Sequence, residues 1–284
     1  MKTHASRDLK VWRPQVIRDV ELIYGTSAFY STPRHFHEDM EISVNQKSGW
    51  LYSSRGNNYR VPASAALVTP PGEPHVSSTS GEGESVFLGL RIASSFIQQV
   101  TGEMIGHQRS MPHFVNPLFV DEQLSTSLTQ LHAALRKDEA SRLEQEGMVL
   151  DALAQLITRF SQEHYAERPF AKEQTVVKRT QEYLQEHYAQ QVSLEQLAAV
   201  TQRSVFHLSR IFRAEVGLPP HVYQMHLRIA RAKVLLAQQH SIAQTALATG
   251  FASQSHFGMH FKRLVGVTPL QYIQDSKNTI DRGG

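Results

Sequence analysis

Short segments of alternating hydrophobic and polar residues fill the chain between Val16 and Ile92. Clusters of Gly, Pro, Ser and Asn, which favour turns, separate them. Many short strands at near-regular spacing are typical of a β-sandwich or a small barrel. We therefore expect a β-barrel open at one end. Its expected strands include Val20–Tyr24, Met40–Val44, Gly49–Tyr52, Ala66–Thr69 and Val86–Leu90.

The hydrophobic period changes after Pro117, where leucines begin to recur at helical spacing. The first stripe is Leu124, Leu128, Leu131 and Leu135, and the second is Leu143, Leu150, Leu153, Leu156, Ile157 and Phe160. A polar turn, 136–140, separates them, so two antiparallel amphipathic helices are predicted. One apolar seam can lie on the barrel. The other is either used inside the monomer or pairs with a second chain, as in a coiled coil.

The sequence contains an internal repeat between about Ser193 and Tyr272. Without a gap, 207–223 aligns with 256–272. The matched pairs include His207 and His256, Phe212 and Phe261, Arg213 and Lys262, Gly217 and Gly266, Pro220 and Pro269, and Tyr223 and Tyr272. Each copy also begins with a capping-box serine, Ser193 or Ser241, and its second helix begins at Ser204 or Ser253. Gly217 and Gly266 suit a left-handed helix end. The sequence predicts helix, turn, helix, twice.

A helix-turn-helix places the start of its second helix in the DNA major groove, although a helical bundle that binds only protein would share this pattern. On the first recognition helix we expect Phe206, Ser209 and Arg210 outward and Leu208, Ile211 and Phe212 inward. On the second, the same register places Gln254, Ser255, His256 and Met259 in the groove. Arg210 is the strongest candidate for a base contact, because a guanidinium can bind guanine O6 and N7 together. Phosphate candidates are Arg213, Arg228, Arg231, Lys262 and Arg263.

A long helix is expected between the two copies, from Pro219–Pro220 to about Gln239. Its inward residues are predicted to be Leu227, Ala230, Val234 and Leu235. Such a helix spans roughly 30 Å. That length is close to one turn of B-DNA, so the two recognition helices can occupy successive segments of the major groove.

The segment from about Thr175 to Ile273 resembles the DNA-binding region of the AraC/XylS transcription regulators. The residues that carry the resemblance include Leu197–Ala198, 207–210, Gly250–Phe251, 255–257 and 266–269. The resemblance implies sequence-specific DNA binding, a homodimer, and an activator that recruits RNA polymerase. Met259 departs from the family, where an arginine is usual. The second half should therefore read bases weakly, through shape, methyl contacts and phosphates.

Three histidines and a glutamate fall within the strand-rich half: His35, His37, Glu41 and His75. Divalent metals accept such a set. The spacing resembles the paired motifs of the cupin barrel, although the closing glycine of the first motif, Gly49, comes late. AraC-type regulators often carry such a barrel as a sensor, frequently without metal. We therefore expect these four residues and Trp50 to bind a small-molecule effector, with no metal or other cofactor. Tyr24, Tyr52 and Arg91 are further lining candidates.

The amino-acid composition and the distribution of charge exclude several classes of protein. The chain contains no cysteine, which excludes disulfides, thiolate metal sites and a cysteine nucleophile. Its first residues lack a continuous apolar run, and no stretch approaches the length of a membrane span, so a soluble cytoplasmic protein is expected. From Ala171 onward 13 Lys and Arg face 7 Asp and Glu, whereas the rest carries a net charge of −3. This asymmetry is expected when one half meets phosphate.

The sequence thus predicts an α+β multidomain protein. Its expected parts are a cupin-like sensor barrel (1–118), a dimerising helical hairpin (119–165), a linker (166–174), and an all-α DNA-binding domain with two helix-turn-helix subdomains (175–284). The predicted function is effector-responsive transcriptional regulation without enzymatic activity. Two alternatives stay open: a metal-dependent cupin enzyme fused to a DNA-binding tail, and an adaptor that binds only protein.

Overall fold

The computed structural model describes residues 8–27, 31–47, 50–79, 85–105, 111–137, 139–162 and 173–280. Gly49 and most of the expected linker, including Arg168 and Pro169, lie outside these ranges. The chain divides into two compact units. The first comprises 1–138 and 148–167, and the second comprises 139–147 and 168–284.

The first unit is rich in β-strands, as the alternating pattern predicted. Among the described residues its strands are β1 (Asp8–Trp12), β2 (Val20–Ser27), β3 (Met40–Asn45), β4 (Trp50–Ser54), β5 (Asn57–Val61), β6 (Ala66–Thr69), β7 (His75–Thr79), β8 (Ser85–Ile92) and β9 (Leu118–Phe119). They form a six-stranded sheet of order β1-β2-β8-β3-β6-β9 and a three-stranded sheet of order β5-β4-β7. Each described pairing is antiparallel.

The predicted β-rich domain is confirmed, although its described strands form two sheets and not the barrel, open at one end, that was expected. No described strand of one sheet pairs with a strand of the other. Buried side chains join the sheets instead. Trp50 and Tyr52 from β4, Val61 from β5 and Leu67 from β6 meet in one cluster. The apolar faces of the two sheets are therefore buried against each other. This packing does not require continuous backbone hydrogen bonding around a barrel.

Helices complete the first unit. They are α1 (Ser94–Ile105), α2 (Glu122–Lys137) and the greater part of α3 (Arg142–Phe160). The predicted stripe of α2 is confirmed, since Leu124, Leu128, Leu131 and Leu135 are all buried. This stripe packs on β2, β3 and β8 of the six-stranded sheet. The predicted α3 stripe is also buried from Leu143 to Ile157.

The second unit is helical and contains the predicted repeat. Its helices are the start of α3 through Gly147, then α4 (Gln174–Glu186), α5 (Leu194–Thr201), α6 (Val205–Val216), α7 (Pro220–Ala237), α8 (Ile242–Ala248), α9 (Gln254–Val265) and α10 (Pro269–Ile280). The two helix-turn-helix pairs are α5 with α6 and α8 with α9. The first packs on α4, whereas α7 contacts both pairs.

Local signals set the ends of these helices as predicted. Ser193 and Ser241 each form a full capping box, in which the serine oxygen accepts from the N–H of a glutamine three residues later. Ser204 and Ser253 cap α6 and α9 in the same way. The C-cap Gly217 has φ +79°, in the left-handed region where other residues are strained.

The predicted inward face of α7 is wrong. Leu227 and Leu235 are half-buried, while Ala230 and Val234 are exposed. The buried stripe is Met225, Ile229, Ala232 and Leu236, with Gln224 and Arg228 beside it. Partners on more than one side, α4 and α6 as well as α8, α9 and α10, select this stripe, and sequence periodicity alone could not anticipate them.

Candidate functional site

The first recognition helix, α6, has the predicted inward face and one predicted outward residue that is buried. Leu208, Ile211 and Phe212 are buried, as expected. Ser209 and Arg210 are half-buried and Arg213 is exposed. Phe206 was expected to face the groove but is only 6% exposed. The reason is that α6 is packed by α4, α5 and α7, and burying a phenyl ring is favourable by roughly 1.5–3 kcal/mol.

The second recognition helix, α9, presents a solvent-facing stripe. Gln254, Ser255 and Lys262 are exposed, and Met259 is 55% exposed. His256 was expected on this face but is buried at 4% exposure. Its ring lies edge-on to Phe251 at 5.6 Å and to His260 at 4.5 Å between centroids. His256 and His260, four residues apart, therefore form the inner face of the helix.

The two halves repeat a contact between a histidine and a glutamate. In α6, Nε2 of His207 lies 3.1 Å from Oε1 of Glu173, the N-cap residue of α4. In α9, Nε2 of the matching His256 lies 3.8 Å from Oε2 of Glu144, in the first turn of α3. Each recognition helix thus has a first-turn histidine beside a glutamate at the start of an earlier helix. This pairing explains why His256 does not face the groove.

One phosphate candidate belongs to the interior. Arg228 is only 1% exposed, and its guanidinium donates to the carbonyls of Tyr188 and Gln190 at 2.7 and 3.0 Å. Burial lowers the pKa of Arg228 to about 10, so the group stays charged at neutral pH. Arg231 and Arg263 are exposed, as are Arg213 and Lys262. Of the five predicted phosphate candidates, four therefore lie on the surface.

In the first unit, His35, His37 and His75 come together as predicted. Each offers a ring nitrogen, and these atoms lie within 4.8 Å of one another. The backbone brings His35 and His75 side by side, since each N–H donates to the carbonyl of the other at 3.1 and 2.9 Å. Nδ1 of His35 donates to Pro33 O, and Nδ1 of His75 to Glu73 O. These bonds leave Nε2 of both rings as a lone-pair donor.

Burial favours the neutral form of two of these histidines, His37 and His75. Burial lowers the pKa of His37 despite the opposing charge of Glu41, and burial likewise lowers the pKa of His75. Both ring nitrogens of His37 are buried without a hydrogen-bond partner. The unprotonated nitrogen of a neutral imidazole can accept a hydrogen bond or coordinate a cation. The three histidines therefore fit either a polar group of an organic ligand or a divalent metal.

Glu41 and Trp50 are placed differently. Glu41 Oε2 is 3.4 Å from Nε2 of His37, but it also accepts from Nε of Arg91 at 3.0 Å. Trp50 is buried against Phe87, with ring centroids 5.4 Å apart, and no described ring contact joins it to the histidines. Tyr52 stacks on His75 at 5.5 Å. The aromatic neighbour of the cluster is thus Tyr52, and Trp50 belongs to the core.

A second concave site was mostly missed by sequence reasoning. An open cleft of about 480 Å³ is lined by Lys10, Trp12, Tyr24 and Arg136, of which only Tyr24 was anticipated. Nε1 of Trp12 is buried without a hydrogen-bond partner. Two cations, two aromatic rings and a spare N–H suit a small organic anion. The residues come from β1, β2 and α2, so no local motif could reveal the cleft.

Comparison with known families decides what this arrangement is. The model of the AraC-like ligand binding domain matches residues 19–163, and that of a helix-turn-helix domain matches residues 197–275. The chain belongs to the AraC family of transcriptional regulators. In this AraC-family protein the ligand-binding match covers the histidine cluster, and the helix-turn-helix match covers both recognition helices. It is a DNA-binding transcriptional regulator with a ligand-binding domain.

Individual relatives of this AraC-family chain are regulators by name. It is 29% identical to the HTH-type transcriptional regulator YbfI of Bacillus subtilis over 79% of its own length and 80% of that protein. It is 36% identical to the HTH-type transcriptional regulator MtrA of Neisseria gonorrhoeae, over 29% of its own length and 28% of that protein. A solved AraC-type regulator from Chromobacterium violaceum is 28% identical, covering 37% of this chain and 95% of that one, with a TM-score of 0.35. No helix within the described ranges is long and apolar enough to cross a membrane.

Proposed function

We propose that α6 and α9 read two neighbouring half-sites on one face of a DNA duplex. The carrying observation is that α9 buries one face in the core and leaves Gln254, Ser255, Met259 and Lys262 exposed on the other. On α6, Ser209, Arg210 and Arg213 are the corresponding candidates. The linking helix α7 has 18 residues and so spans about 27 Å. That spacing suits half-sites about one helical turn apart.

The two halves should contribute differently to specificity. Arg210 can bind guanine through two hydrogen bonds, worth about 1–3 kcal/mol against the wrong base. Met259, its repeat mate, cannot donate a hydrogen bond. The second half would therefore rely on methyl contacts, on DNA shape and on phosphates held by Lys262.

Selection from a random DNA library tests this assignment. The wild-type chain should enrich a site with one strongly and one weakly defined half, and Arg210→Ala should relax the strong half alone. Lys262→Ala should weaken binding to all sequences about equally and reduce the slope of log affinity against log salt by about 1. Lys178→Ala, which removes an exposed lysine of α4 instead, is the matched control. If Arg210→Ala leaves the enriched site unchanged, α6 does not read bases in this way.

We further propose that a small molecule bound to the first unit regulates this DNA binding. The histidine cluster, together with Glu41 and Arg91, offers a polar site, and the Lys10–Arg136 cleft offers a site for an organic anion. Thermal-shift screening of organic anions and neutral metabolites against the full chain tests both, because a ligand that binds only the folded form raises the melting temperature. His75→Ala should abolish the shift for the first site, and Arg136→Ala for the second. A hit that keeps its shift in both variants binds elsewhere.

The remaining properties follow from the family. We propose a homodimer that activates transcription by recruiting RNA polymerase, that works in the cytoplasm on the chromosome, and that has no enzymatic activity. The match to transcriptional regulators supports these statements. Sedimentation velocity checks the dimer, and in vitro transcription with purified polymerase checks activation.

The specific observation that favours an enzyme is the histidine trio, since three imidazole nitrogens could hold a catalytic divalent ion. Turnover that required added metal and was lost in His75→Ala would contradict the non-enzymatic assignment.

A further inference from the structure

A second cluster of metal-binding side chains lies inside the DNA-binding unit, away from the effector candidates. Glu144, His256 and His260 converge there and are 8%, 4% and 3% exposed. Each offers one ligand atom, and these atoms lie within 4.8 Å of one another. Glu144 comes from the first turn of α3, and both histidines come from α9. DNA recognition as argued above uses none of these three side chains.

The spacing of the ligand atoms fits a small divalent ion. Nε2 of His260 lies 3.3 Å from Oε1 of Glu144, and Nε2 of His256 lies 3.8 Å from Oε2. Zinc bonds of about 2.0–2.1 Å place tetrahedral ligand atoms about 3.3–3.4 Å apart. Histidines four residues apart on a helix project from the same face, a spacing that serves zinc binding elsewhere. The chain has no cysteine, so thiolate ligands are excluded, and this cluster offers two nitrogens and a carboxylate oxygen.

The cluster also contains polar atoms that protein contacts leave unsatisfied. Oε2 of Glu144 and Nε2 of His260 are buried without a hydrogen-bond partner, as is Nδ1 of both histidines. A buried polar atom without a partner is unfavourable by about 1–3 kcal/mol. Burial alone would raise the pKa of Glu144, but His260 and His256 hold it below its usual range. An ionised carboxylate beside two imidazoles is the donor set that a borderline divalent ion prefers.

Neighbouring contacts hold Glu144 in position without any metal. Glu146 Oε2 accepts from the N–H of Leu194 at 2.7 Å, at the start of α5. The N–H of Arg142 donates to Oε1 of Gln191 at 3.0 Å. Ser141 caps this turn, accepting from the N–H of Glu144 at 3.3 Å. These hydrogen bonds connect the start of α3 to the first helix-turn-helix, while Glu144 contacts the second.

The guanidinium of Arg228 is a positive charge near the cluster. Burial is the main cause that lowers the pKa of His256, and the charge of Arg228 adds to it, whereas Glu144 and Glu139 act in the opposite direction. The Arg228 guanidinium donates to two backbone carbonyls, those of Tyr188 and Gln190. The carboxylates of Glu144 and Glu139 thus oppose the charge of Arg228 at His256. The local balance permits a divalent ion.

We propose that Glu144, His256 and His260 bind a divalent transition-metal ion such as Zn²⁺, which ties α9 to the start of α3. Because the same turn of α3 is fastened to α5, the ion fixes the second recognition helix relative to the first helix-turn-helix. Metal occupancy thereby controls how well both halves engage DNA together. The effect on DNA rests on the proposed function, whereas ion binding does not.

Titration of the metal-free full chain with Zn²⁺, followed by competition with a chromophoric chelator, tests ion binding. The wild type should bind one equivalent more than His260→Gln or Glu144→Gln, whatever the His35 cluster binds. His226→Gln, which changes an exposed histidine of α7, should keep the wild-type stoichiometry. Equal stoichiometry in the wild type and a folded His260→Gln variant, checked by circular dichroism, overturns the proposal.

A measurement on the unaltered protein covers the case in which the variants do not fold. Crystals grown with Zn²⁺ should show an anomalous peak at the zinc edge within about 2.1 Å of Glu144, His256 and His260. Absence of that peak overturns the site. With the site established, removing zinc should lower DNA affinity at least tenfold in the wild type and leave His260→Gln unaffected. Unchanged affinity would overturn the control of DNA binding and leave ion binding standing.

Discussion

Arg228 Nε donates a 2.7 Å hydrogen bond to the carbonyl oxygen of Tyr188. A second nitrogen of the same guanidinium donates to Gln190 at 3.0 Å, and the amide of Gln224 donates to both of these carbonyls. Two side chains of α7 thus satisfy the backbone that follows α4. Backbone carbonyls outside regular secondary structure that contact the interior need such donors. The arginine therefore organises the domain and is not available to phosphate.

Replacing this arginine should destabilise the protein without changing how it responds to salt on DNA. Arg228→Met removes both charge-assisted hydrogen bonds, each worth about 1.5–3 kcal/mol, and leaves the Gln224 amide as the side-chain donor to both carbonyls. Arg228→Lys can restore only one of these bonds and should lose less stability. Urea unfolding followed by circular dichroism measures the change. A salt slope of DNA binding reduced by about 1 in Arg228→Met, which removes the charge, would instead support a phosphate contact.

Much of the architecture could be predicted because its signals are local. The serine caps, Gly217 and Gly266 are decided by residues within one turn, so the helix ends are found where the sequence placed them. The strands and the α2 stripe likewise follow from periodicity. The errors arose where distant partners choose the buried face. His256 is buried against Glu144, and Phe206 is covered by the helices that pack on α6. Neither contact can be recognised from the residues nearby in the sequence.

The candidate sites show the same division. The three histidines could be predicted because two are separated by a single residue on the chain and the third follows a turn. Their neighbour Tyr52, rather than Trp50, depends on how β4 faces β7, a register that a single sequence does not determine. The Glu144–His260 contact joins residues more than one hundred positions apart. No spacing rule reaches that far.

Met259 offers a gain-of-function test of the DNA interface. It is 55% exposed on α9, and its repeat mate is Arg210. Met259→Arg should add a base or phosphate contact and raise affinity by about fivefold to a hundredfold, corresponding to about 1–3 kcal/mol. Fluorescence anisotropy with the selected site measures it. Met259→Leu, which preserves an apolar side chain, should bind like the wild type. Equal affinity for all three would mean that residue 259 does not face the groove.

Gly147 allows a test of packing in the second unit. A Cβ at this position would lie 2.3 Å from Nδ1 of His221. Although alanine normally favours a helix over glycine by about 1 kcal/mol, this overlap should make Gly147→Ala destabilising by about 1–3 kcal/mol. Gly258 is the matched control, since a Cβ there meets nothing within 4 Å. Gly258→Ala should be neutral or stabilising in the same urea titration. A stabilised Gly147→Ala would show that α3 and His221 are not in contact.

The burial of His132 predicts that the free energy of unfolding of the first unit decreases in acid. It is buried in the first unit, and Nε2 donates to the carbonyl of Ile23 at 3.0 Å. Burial lowers the pKa of His132, the bond to Ile23 acts in the opposite direction, and Arg136 lowers it further. Because the folded pKa is below the unfolded value of about 6.5, the unfolded chain takes up the proton first. The stabilisation is complete above that pH and is lost as the pH falls below it.

Urea unfolding at a series of pH values from 7.5 to 5 should show this loss. Both tryptophans, Trp12 and Trp50, belong to the first unit, and the Trp12 ring lies 5.6 Å from His132, so fluorescence follows the relevant transition. His132→Gln keeps a donor near Ile23 but does not titrate. Its free energy of unfolding should fall less steeply, by at most about 1.4 kcal/mol per pH unit for one histidine. Some acid loss should persist in the variant, because burial also lowers the pKa of His37 and His75 in this unit. Parallel pH profiles for the two proteins would mean that His132 keeps its ordinary pKa in the fold.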